Sequence, residues 1–227
     1  WAATGGEVTP VSGDLADLES MVALKDLMQS LKSPHIDCRT DGSLMHTTSR
    51  SQYLFNTGIA GLEEADAILL VGTNPRMEAT LVNARIRKNW FENRTKIGLI
   101  GPEDDLTYPY EYLGSGPEDL EKLMKARSGF AKILKDAKRP AIIVGAGVFQ
   151  REDGQALHAL AAEAAEKFGA VAKDWNGFNV LHRAASRVGA LDIGFLPGAK
   201  GRDFRSILKG TKDGKIKALY LLGADEF

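Results

Sequence analysis

The hydrophobic pattern is sharpest where five consecutive apolar residues, Ala67–Val71, precede a polar turn. Five residues are too few for an ordinary helix, and an unbroken apolar run is typical of a strand buried on both faces in a parallel sheet. Gly72 and the dipeptide Asn74-Pro75 then interrupt the run, and proline suits the first position of a helix because it has no N–H to leave unpaired. The stretch therefore predicts a strand, a tight loop and a helix.

The helix after this loop is predicted to point its N-terminus across the carboxyl edge of a sheet. Thr73 or Asn74 can cap it, and Glu78 lies in its first turn, where the helix dipole favours an acid. Open α/β folds place ligands at this edge, often phosphates. The Gly72 loop is thus a candidate binding loop, although any buried strand–loop–helix unit has the same pattern.

Short apolar runs alternate with helical periodicity along the rest of the chain. Strands are predicted at Ile97–Ile100, Ala141–Val144 and Lys217–Leu222, and a further short strand fits Val8–Val11. Helices are predicted at Leu15–Leu31, Arg76–Phe91, Pro117–Met124, Phe130–Ala137, Gly154–Phe168, Val180–Val188 and Phe204–Leu208. This alternation predicts a doubly wound α/β fold with mainly parallel sheets and helices on both faces.

Some segments carry more detailed predictions. Asp14 is predicted to cap the first helix, His35–Cys38 to form a short strand, and residues 101–116 to form a loop. In the helix over Arg76–Phe91, the inward residues are predicted to be Met77, Leu81, Val82, Ile86 and Trp90. Its exposed side is predicted to be basic, with Arg85, Arg87 and Lys88.

The organisation predicted along the chain is two α/β halves, residues 1–128 with the Gly72 loop and residues 129–227. The last residues form a short apolar strand and the start of a loop, with nothing after it. We therefore expect a truncated fragment of a longer protein, with Ala218–Leu222 in the sheet and part of its apolar face uncovered.

Composition limits the classes of partner. The 227 residues are 44% hydrophobic and 26% charged, which is typical of a globular protein. Their net charge of −1 gives no indication of a nucleic-acid partner. No apolar run reaches the ~20 residues that span a bilayer, so membrane insertion is not predicted. The single cysteine, Cys38, excludes an internal disulfide and an iron–sulfur cluster held by four cysteines of this chain.

The individual motifs do not define a catalytic site. Gly145-Ala146-Gly147 follows a predicted strand, but the third glycine of a dinucleotide-binding loop is missing and no helix is predicted to start at once. The four histidines are scattered, which favours structural or exposed roles over metal binding. Cys38 is either a thiolate assisted by Arg39 or a small buried hydrophobe. No catalytic residue and no metal ligand are predicted.

Several blocks together resemble one family, the large iron–sulfur subunit of respiratory complex I, of the 75 kDa type. The blocks are Ala65–Pro75 with Glu78-Ala79, Asn83–Lys88, Ile36–Gly42, Asn179–Val188 and Leu219–Asp225. The match runs from about Asp14 to the end of the chain. The blocks are most similar to the alphaproteobacterial and mitochondrial branch.

The resemblance implies a piece of the region of that subunit that is similar to molybdopterin oxidoreductases, while the iron–sulfur clusters lie in another part of the parent subunit. Three departures from the molybdenum enzymes matter. The stretch Arg39–Gly42 lacks a metal-ligating side chain and Cys38 lies too early. Gly101-Pro102-Glu103 replaces the Asp-Pro-Arg that helps to hold the nucleotide, and only the shapes of the two glycine loops remain.

No cofactor is therefore expected in this chain. A vestigial pocket is expected at residues of the two glycine loops: Gly72, Thr73, Asn74, Arg76, Gly145 and Gly147. Glu103, Asp104 and Asp105 are expected to repel phosphate at this edge, by roughly 4 kcal/mol per unit-charge pair at about 4 Å.

The function implied is a structural part of the peripheral arm of NADH:quinone oxidoreductase, with other peripheral-arm subunits as partners. Its location would be the cytoplasmic face of the bacterial inner membrane or the matrix side of the mitochondrial inner membrane. Three alternatives stay open: a fragment of an active molybdopterin oxidoreductase of the formate dehydrogenase type, the central domain of a thiamine-diphosphate enzyme, and a retained nucleotide site at the Gly72 loop.

Overall fold

A computed structural model describes residues 8–224 and divides the chain into two compact units. One unit contains the residues up to Ser43 together with those from His182, and the other contains Leu44–Leu181. The boundary predicted between residues 128 and 129 falls inside the second unit, whose central sheet takes strands from both sides of it.

The strands confirm the predicted parallel arrangement. In chain order they are β1 Val8–Ser12, β2 Ala67–Val71, β3 Lys96–Ile100, β4 Glu111–Gly114, β5 Pro140–Val144, β6 Val171–Ala172, β7 Trp175–Asn176, β8 Phe178–Val180 and β9 Ala218–Leu222. The second unit has a five-stranded sheet in the order β4-β3-β2-β5-β8, with each neighbouring pair parallel. The short strands β6 and β7 form a separate antiparallel pair just before β8 in the chain.

The helices connect these strands as a doubly wound fold requires. They are α1 Leu18–Ser30, α2 Gly58–Gly61, α3 Pro75–Glu78, α4 Thr80–Asn93, α5 Pro117–Lys125, α6 Phe130–Asp136, α7 Ala146–Phe149, α8 Gly154–Lys167, α9 Arg187–Asp192 and α10 Phe204–Lys212. Short 3-10 turns occupy Arg50–Gln52 and Leu62–Glu64. The predicted α/β fold class is confirmed.

The core of the second unit is built on β2 and β5. Every residue of both strands is buried, because parallel strands covered by helices on both faces need apolar side chains on both sides. Ile86 of α4 and Leu99 of β3 are both fully buried in the same hydrophobic cluster, which joins this helix to the sheet. The continuous apolar runs in the sequence therefore correspond to the central strands.

The first unit contains a separate two-stranded sheet in which β1 pairs with β9 in parallel. Strand β1 is buried along its whole length, whereas Leu219, Tyr220 and Leu221 of β9 are 36–46% exposed. The terminal strand is thus where it was predicted in the sequence, but it belongs to a different sheet from β2, β3 and β5. The loop predicted after it lies outside the described residues from position 225.

The predicted helix over Arg76–Phe91 is wrong in one respect, because it is two helices. The chain breaks at Ala79, where φ is −152° and ψ is 67°. The break changes the buried face, so that Met77 and Leu81 are 77% and 70% exposed instead of inward. Val82 and Ile86 are buried as predicted, and Arg85, Arg87 and Lys88 are exposed as predicted.

The first helix begins later than predicted. Its N-cap is Asp17, whose Oδ1 accepts a hydrogen bond from the Ser20 N–H at 2.8 Å, and not Asp14. Leu15 lies before the helix and is 84% exposed. The strand predicted at His35–Cys38 is reduced to a single bridge between Val11 and Asp37.

Three further predictions are corrected. Val180–Val188 is not a helix, because Phe178–Val180 pairs with β5 and only Arg187 onward is helical. The predicted loop over residues 101–116 contains the edge strand β4, whose polar and half-exposed residues give no apolar run. A short helix, α7, follows Gly145 directly.

Candidate functional site

The topology places a switch point between β2 and β5. The chain proceeds from β2 through α4 to β3 on one side, and from β5 through α8 to β8 on the other. Open α/β folds of this strand order bind ligands in the crevice at the carboxyl ends of the strands. A cavity of about 340 Å³ lies at this edge, lined by the ends of β2 and β3, the Gly116 turn before α5, and α7 with Arg151 and Leu157.

The loop from Gly72 to Arg76 folds as its sequence predicts. Gly72 has a φ of 58°, in the left-handed region that favours glycine. Asn74 is the N-cap of α3, its side chain accepting from the Met77 N–H at 3.3 Å, and Pro75 takes the first helical position. Gly145 and Gly147 lie on the second loop, directly before and within α7.

The glycines let the two loops pack against each other. A Cβ on Gly72 would lie 2.4 Å from Cγ2 of Val148, and a Cβ on Gly145 would lie 2.3 Å from the carbonyl oxygen of Gly72. Real side chains do not approach so closely, so both positions need glycine for packing within the chain. Gly147 differs, because its nearest neighbour would be 3.8 Å away.

The backbone N–H groups of Gly72 and Gly145 are already used. Gly72 donates to the carbonyl of Ile100 at 2.7 Å, and Gly145 donates to the carbonyl of Val71 at 2.9 Å. Gly101, at the end of β3, donates to the carbonyl of Gly114 at 2.9 Å. A phosphate-binding loop presents such donors to its ligand, whereas this edge uses them to join neighbouring strand ends.

Glu78 fills the space between the two loops with an internal carboxylate. Its Oε1 accepts a hydrogen bond from the buried Thr73 hydroxyl, and its Oε2 accepts one from the Ala146 N–H at 3.2 Å. The sequence predicted only that Glu78 would lie in the first turn of a helix. Its partner at Ala146 is distant along the chain, so no local pattern could have indicated the contact.

The acidic loop after β3 engages the polar residues of the first loop. The Asn74 amide donates to the Asp104 carboxylate, and the Arg76 guanidinium donates to Oδ2 of Asp105 at 2.8 Å. The hydrogen bond from the Thr107 N–H lowers the pKa of Asp105 below its usual range, and the Arg76 charge adds a smaller effect in the same direction. The cation that was a candidate phosphate ligand is thus paired with a carboxylate.

The remaining polar groups around the cavity are paired in the same way. Arg151 forks onto Asp153 with contacts of 2.7 and 2.8 Å. At the start of α5, the Ser115 and Gly116 N–H groups donate to the Asp119 carboxylate at 3.0 and 3.2 Å. The six sequence candidates therefore come together at one edge, where carboxylates of the chain contact three of them, Thr73, Asn74 and Arg76.

The stretch predicted to replace a metal-ligating segment lies in the first unit and is also internally paired. Asp41 contacts the buried Arg187 guanidinium at 3.1 Å, and Arg187 also donates to the Ser43 hydroxyl at 2.8 Å. Burial raises the pKa of Asp41, but Arg187 and the Ser43 N–H outweigh that effect and leave the pKa lowered. This carboxylate already has a cation as its partner.

Cys38 behaves as a small buried hydrophobe. It is 2% exposed, and burial raises the pKa of its thiol to about 12 despite the nearby arginines. A thiol with this pKa is a poor nucleophile at neutral pH. Across the described residues 8–224, histidine, cysteine and carboxylate side chains form no group of three or more that could hold a metal ion.

His46 and His158 of the second unit have structural contacts. The His158 Nδ1 accepts from the His46 N–H at 3.0 Å, and its Nε2 lies 2.9 Å from the Gln52 carbonyl oxygen. His158 is thereby fixed as a neutral ring that donates from Nε2. Within the part of the chain that the structure describes, no helix is long and apolar enough to cross a membrane.

The parallel sheet and its switch point define the chain as a doubly wound α/β protein, and a family model specifies the family. The model for molybdopterin oxidoreductases matches residues 2–227. The chain therefore belongs to the molybdopterin oxidoreductase family.

The relatives have the names of NADH dehydrogenase and NADH-quinone oxidoreductase proteins. The chain is 44% identical over 220 residues to the mitochondrial NADH dehydrogenase (ubiquinone) iron–sulfur protein 1 of Solanum tuberosum, covering 97% of the chain and 28% of that protein. It is 41% identical over 230 residues to the mitochondrial NADH-ubiquinone oxidoreductase 78 kDa subunit of Neurospora crassa, covering 98% of the chain and 29% of that protein. It is 40% identical over 223 residues to a bacterial NADH-quinone oxidoreductase subunit, from Rickettsia bellii, covering 97% of the chain and 31% of that protein.

These similarities confirm the resemblance found in the sequence blocks. The chain spans only 28–31% of the length of the relatives named above. The pterin dinucleotide that the family name implies does not fit the residues at the carboxyl edge. Its phosphates would meet Glu78, Asp104 and Asp105 where they need N–H donors and cations.

Proposed function

We propose that this chain is a structural part of the peripheral-arm subunit of an NADH:quinone oxidoreductase. The parent subunit carries electrons from NADH toward quinone through iron–sulfur clusters that lie outside this chain. The names of the relatives support this assignment, since they are iron–sulfur and quinone-oxidoreductase subunits of that complex. They favour it over an active oxidoreductase of the formate dehydrogenase type.

The observation that carries the structural role is the set of internal carboxylates at the carboxyl edge. Glu78 binds the Ala146 N–H and the Thr73 hydroxyl, and Asp105 binds Arg76. Carboxylate beside phosphate is repulsive, and a single hydrogen bond contributes only about 0.5–1.5 kcal/mol net. The chain holds no pterin cofactor and no metal of its own, and the vestigial pocket formed by Gly72, Thr73, Asn74, Arg76, Gly145 and Gly147 binds no substrate.

The partners of the chain are the cluster-bearing region of the same subunit and the neighbouring peripheral-arm subunits. Its location is the matrix side of the mitochondrial inner membrane or the cytoplasmic face of the bacterial inner membrane. The mitochondrial and bacterial relatives support this assignment, and the complex supplies the attachment to the membrane.

Cofactor analysis of the protein in its native complex tests the absence of pterin. Elemental analysis would measure molybdenum and tungsten, and fluorescence after oxidation would measure released pterin. We expect neither in stoichiometric amount. Stoichiometric metal with pterin would overturn the proposal and favour the formate dehydrogenase alternative.

Assembly analysis tests the structural role itself. A Gly145→Ala variant, whose Cβ would collide with the Gly72 carbonyl, should lower the amount of assembled complex seen on native gels. Activity per assembled complex should stay unchanged, because the chain contributes no reacting group. A normal amount of complex with reduced activity per complex would contradict the structural role.

A further inference from the structure

A basic groove lies on the second unit, away in sequence from the glycine loops. Its volume is about 780 Å³, and it is lined by the end of α5, by α6 and by the end of α8. Its charged residues are the cations Lys125, Arg127, Lys132, Lys135 and Lys167 and the acid Asp136. The chain as a whole has a net charge of −1, so the groove concentrates positive charge on a nearly neutral protein.

Two of these cations have a carboxylate partner within their own helix. Lys125 contacts Glu121 at 3.1 Å, and Lys132 contacts Asp136 one helical turn away. Across residues 8–224, no carboxylate lies within ion-pairing distance of Arg127, Lys135 or Lys167. With Lys125 and Lys132 paired, the other three cations of the groove produce a positive field, which a concave surface focuses.

Helix dipoles explain part of this pattern. Lys125, Lys135 and Lys167 lie in the last turns of α5, α6 and α8, where a cation is favourable. Each helix end supplies roughly half a negative charge, so three ends offset only about 1.5 of the three remaining positive charges of the groove. Arg127 lies in the loop between α5 and α6, outside the last turn of either helix, so a helix dipole does not explain its position.

The distribution of the cations selects the kind of ligand. A single phosphate needs cations that converge on one point, whereas these lie on three separate segments: the end of α5 with the loop after it, α6, and the end of α8. The floor of the groove is apolar, with buried side chains of Met124, Ala131 and Phe168. Exposed cations beside buried apolar lining residues match a peptide segment that has several carboxylates and a few apolar side chains.

We propose that this groove is a docking surface for an acidic, partly apolar segment of a partner protein. The carboxylates of the segment pair with Arg127, Lys135 and Lys167, and its apolar side chains cover the floor. Charge complementarity of this kind speeds association and sets the register of the partner. The groove carries this assignment whether or not the proposed scaffold role is correct.

The test uses the full chain and a labelled glutamate-rich peptide with interspersed leucines, measured by fluorescence anisotropy. The groove variant combines Arg127→Gln, Lys135→Gln and Lys167→Gln. The matched control combines Arg87→Gln, Lys96→Gln and Lys173→Gln, which removes the same charge from exposed positions that do not line the groove. Urea unfolding of both variants verifies that they fold.

We expect the unaltered chain to bind the peptide with an affinity that falls as salt is added. The groove variant should lose affinity about tenfold, as expected when three exposed charge pairs are removed, and the control should change little. An equal loss in both variants would show non-specific attraction and overturn the proposal. So would no binding at low salt, displacement of the peptide by tripolyphosphate at lower concentration than by unlabelled peptide, or stronger binding to phosphatidylglycerol vesicles.

Discussion

The carboxyl edge of the central sheet and the basic groove differ in whether their cations have carboxylate partners. At the edge, Arg76 and Arg151 each contact a carboxylate, and the Ala146 N–H donates to Glu78. In the groove, Lys135 and Lys167 meet no such partner among residues 8–224. The edge is where this fold class binds ligands. The groove, by contrast, has cations without a carboxylate partner in the part of the chain that the structure describes.

This difference separates what the fold needs for packing from what a ligand site needs. The strand order and the loop glycines are needed for packing, because Gly72 and Gly145 leave no space for a Cβ between the loops. The same glycines are therefore needed for packing whether or not a ligand binds at this edge. A glycine-rich loop after a parallel strand is evidence for the fold, and the partners of its donors decide whether it is a site.

The largest effect expected at the edge comes from Gly145→Ala. The new Cβ would lie 2.3 Å from the Gly72 carbonyl oxygen, so the loops must separate, at a cost of about 3 kcal/mol in the free energy of unfolding. Gly147→Ala is the matched control, because its nearest contact would be 3.8 Å and alanine favours the helix by up to about 1 kcal/mol. Urea unfolding measures both. Equal destabilisation by the two variants would contradict the packing of the loops against each other.

A smaller effect is expected from Glu78→Ala. Removal of the carboxylate leaves the Thr73 hydroxyl and the Ala146 N–H without their acceptor, which should lower the free energy of unfolding by about 1–2 kcal/mol. Glu78→Gln keeps an acceptor oxygen and should cost less. If the alanine variant unfolds at the same urea concentration as the unaltered chain, Glu78 does not join the two loops.

The smallest effects compare surface charge at the two regions. Asp105→Asn removes the partner of Arg76, and both side chains are well exposed, so the urea midpoint should fall only slightly. The triple glutamine variant of the groove removes cations that repel one another, but two of them also favour the ends of α6 and α8, so its midpoint should change little. A clear fall for the groove variant would mean that those cations have internal partners and would remove the contrast between the regions.

The local elements were predictable from sequence, and the reason is physical. Strand β2 forms at the predicted residues because its five apolar side chains can all be buried when helices cover both faces of a parallel sheet. Asn74 caps α3 because asparagine before proline favours that geometry. In both cases neighbouring residues along the chain decide the outcome.

The missed features depend on contacts between distant segments. Val180 lies in a strand because β5 offers it a partner, although its own sequence suits a helix. Leu81 is exposed because the chain breaks at Ala79, which shifts the buried face of α4. The role of Glu78 was missed for the same reason, since its acceptor function requires α7 to lie beside the Gly72 loop. The sequence therefore indicates which loops meet at the carboxyl edge, but not how their polar atoms are paired.

Calorimetric titration of the full chain with guanosine diphosphate tests most directly whether carboxylates of the chain close the carboxyl edge. The diphosphate would need the donors that Glu78 now occupies and the Arg76 cation that Asp105 now pairs. We predict no saturable heat at millimolar concentrations of the nucleotide. Saturable binding with one nucleotide per chain, lost in an Arg76→Gln variant that unfolds normally, would contradict the account.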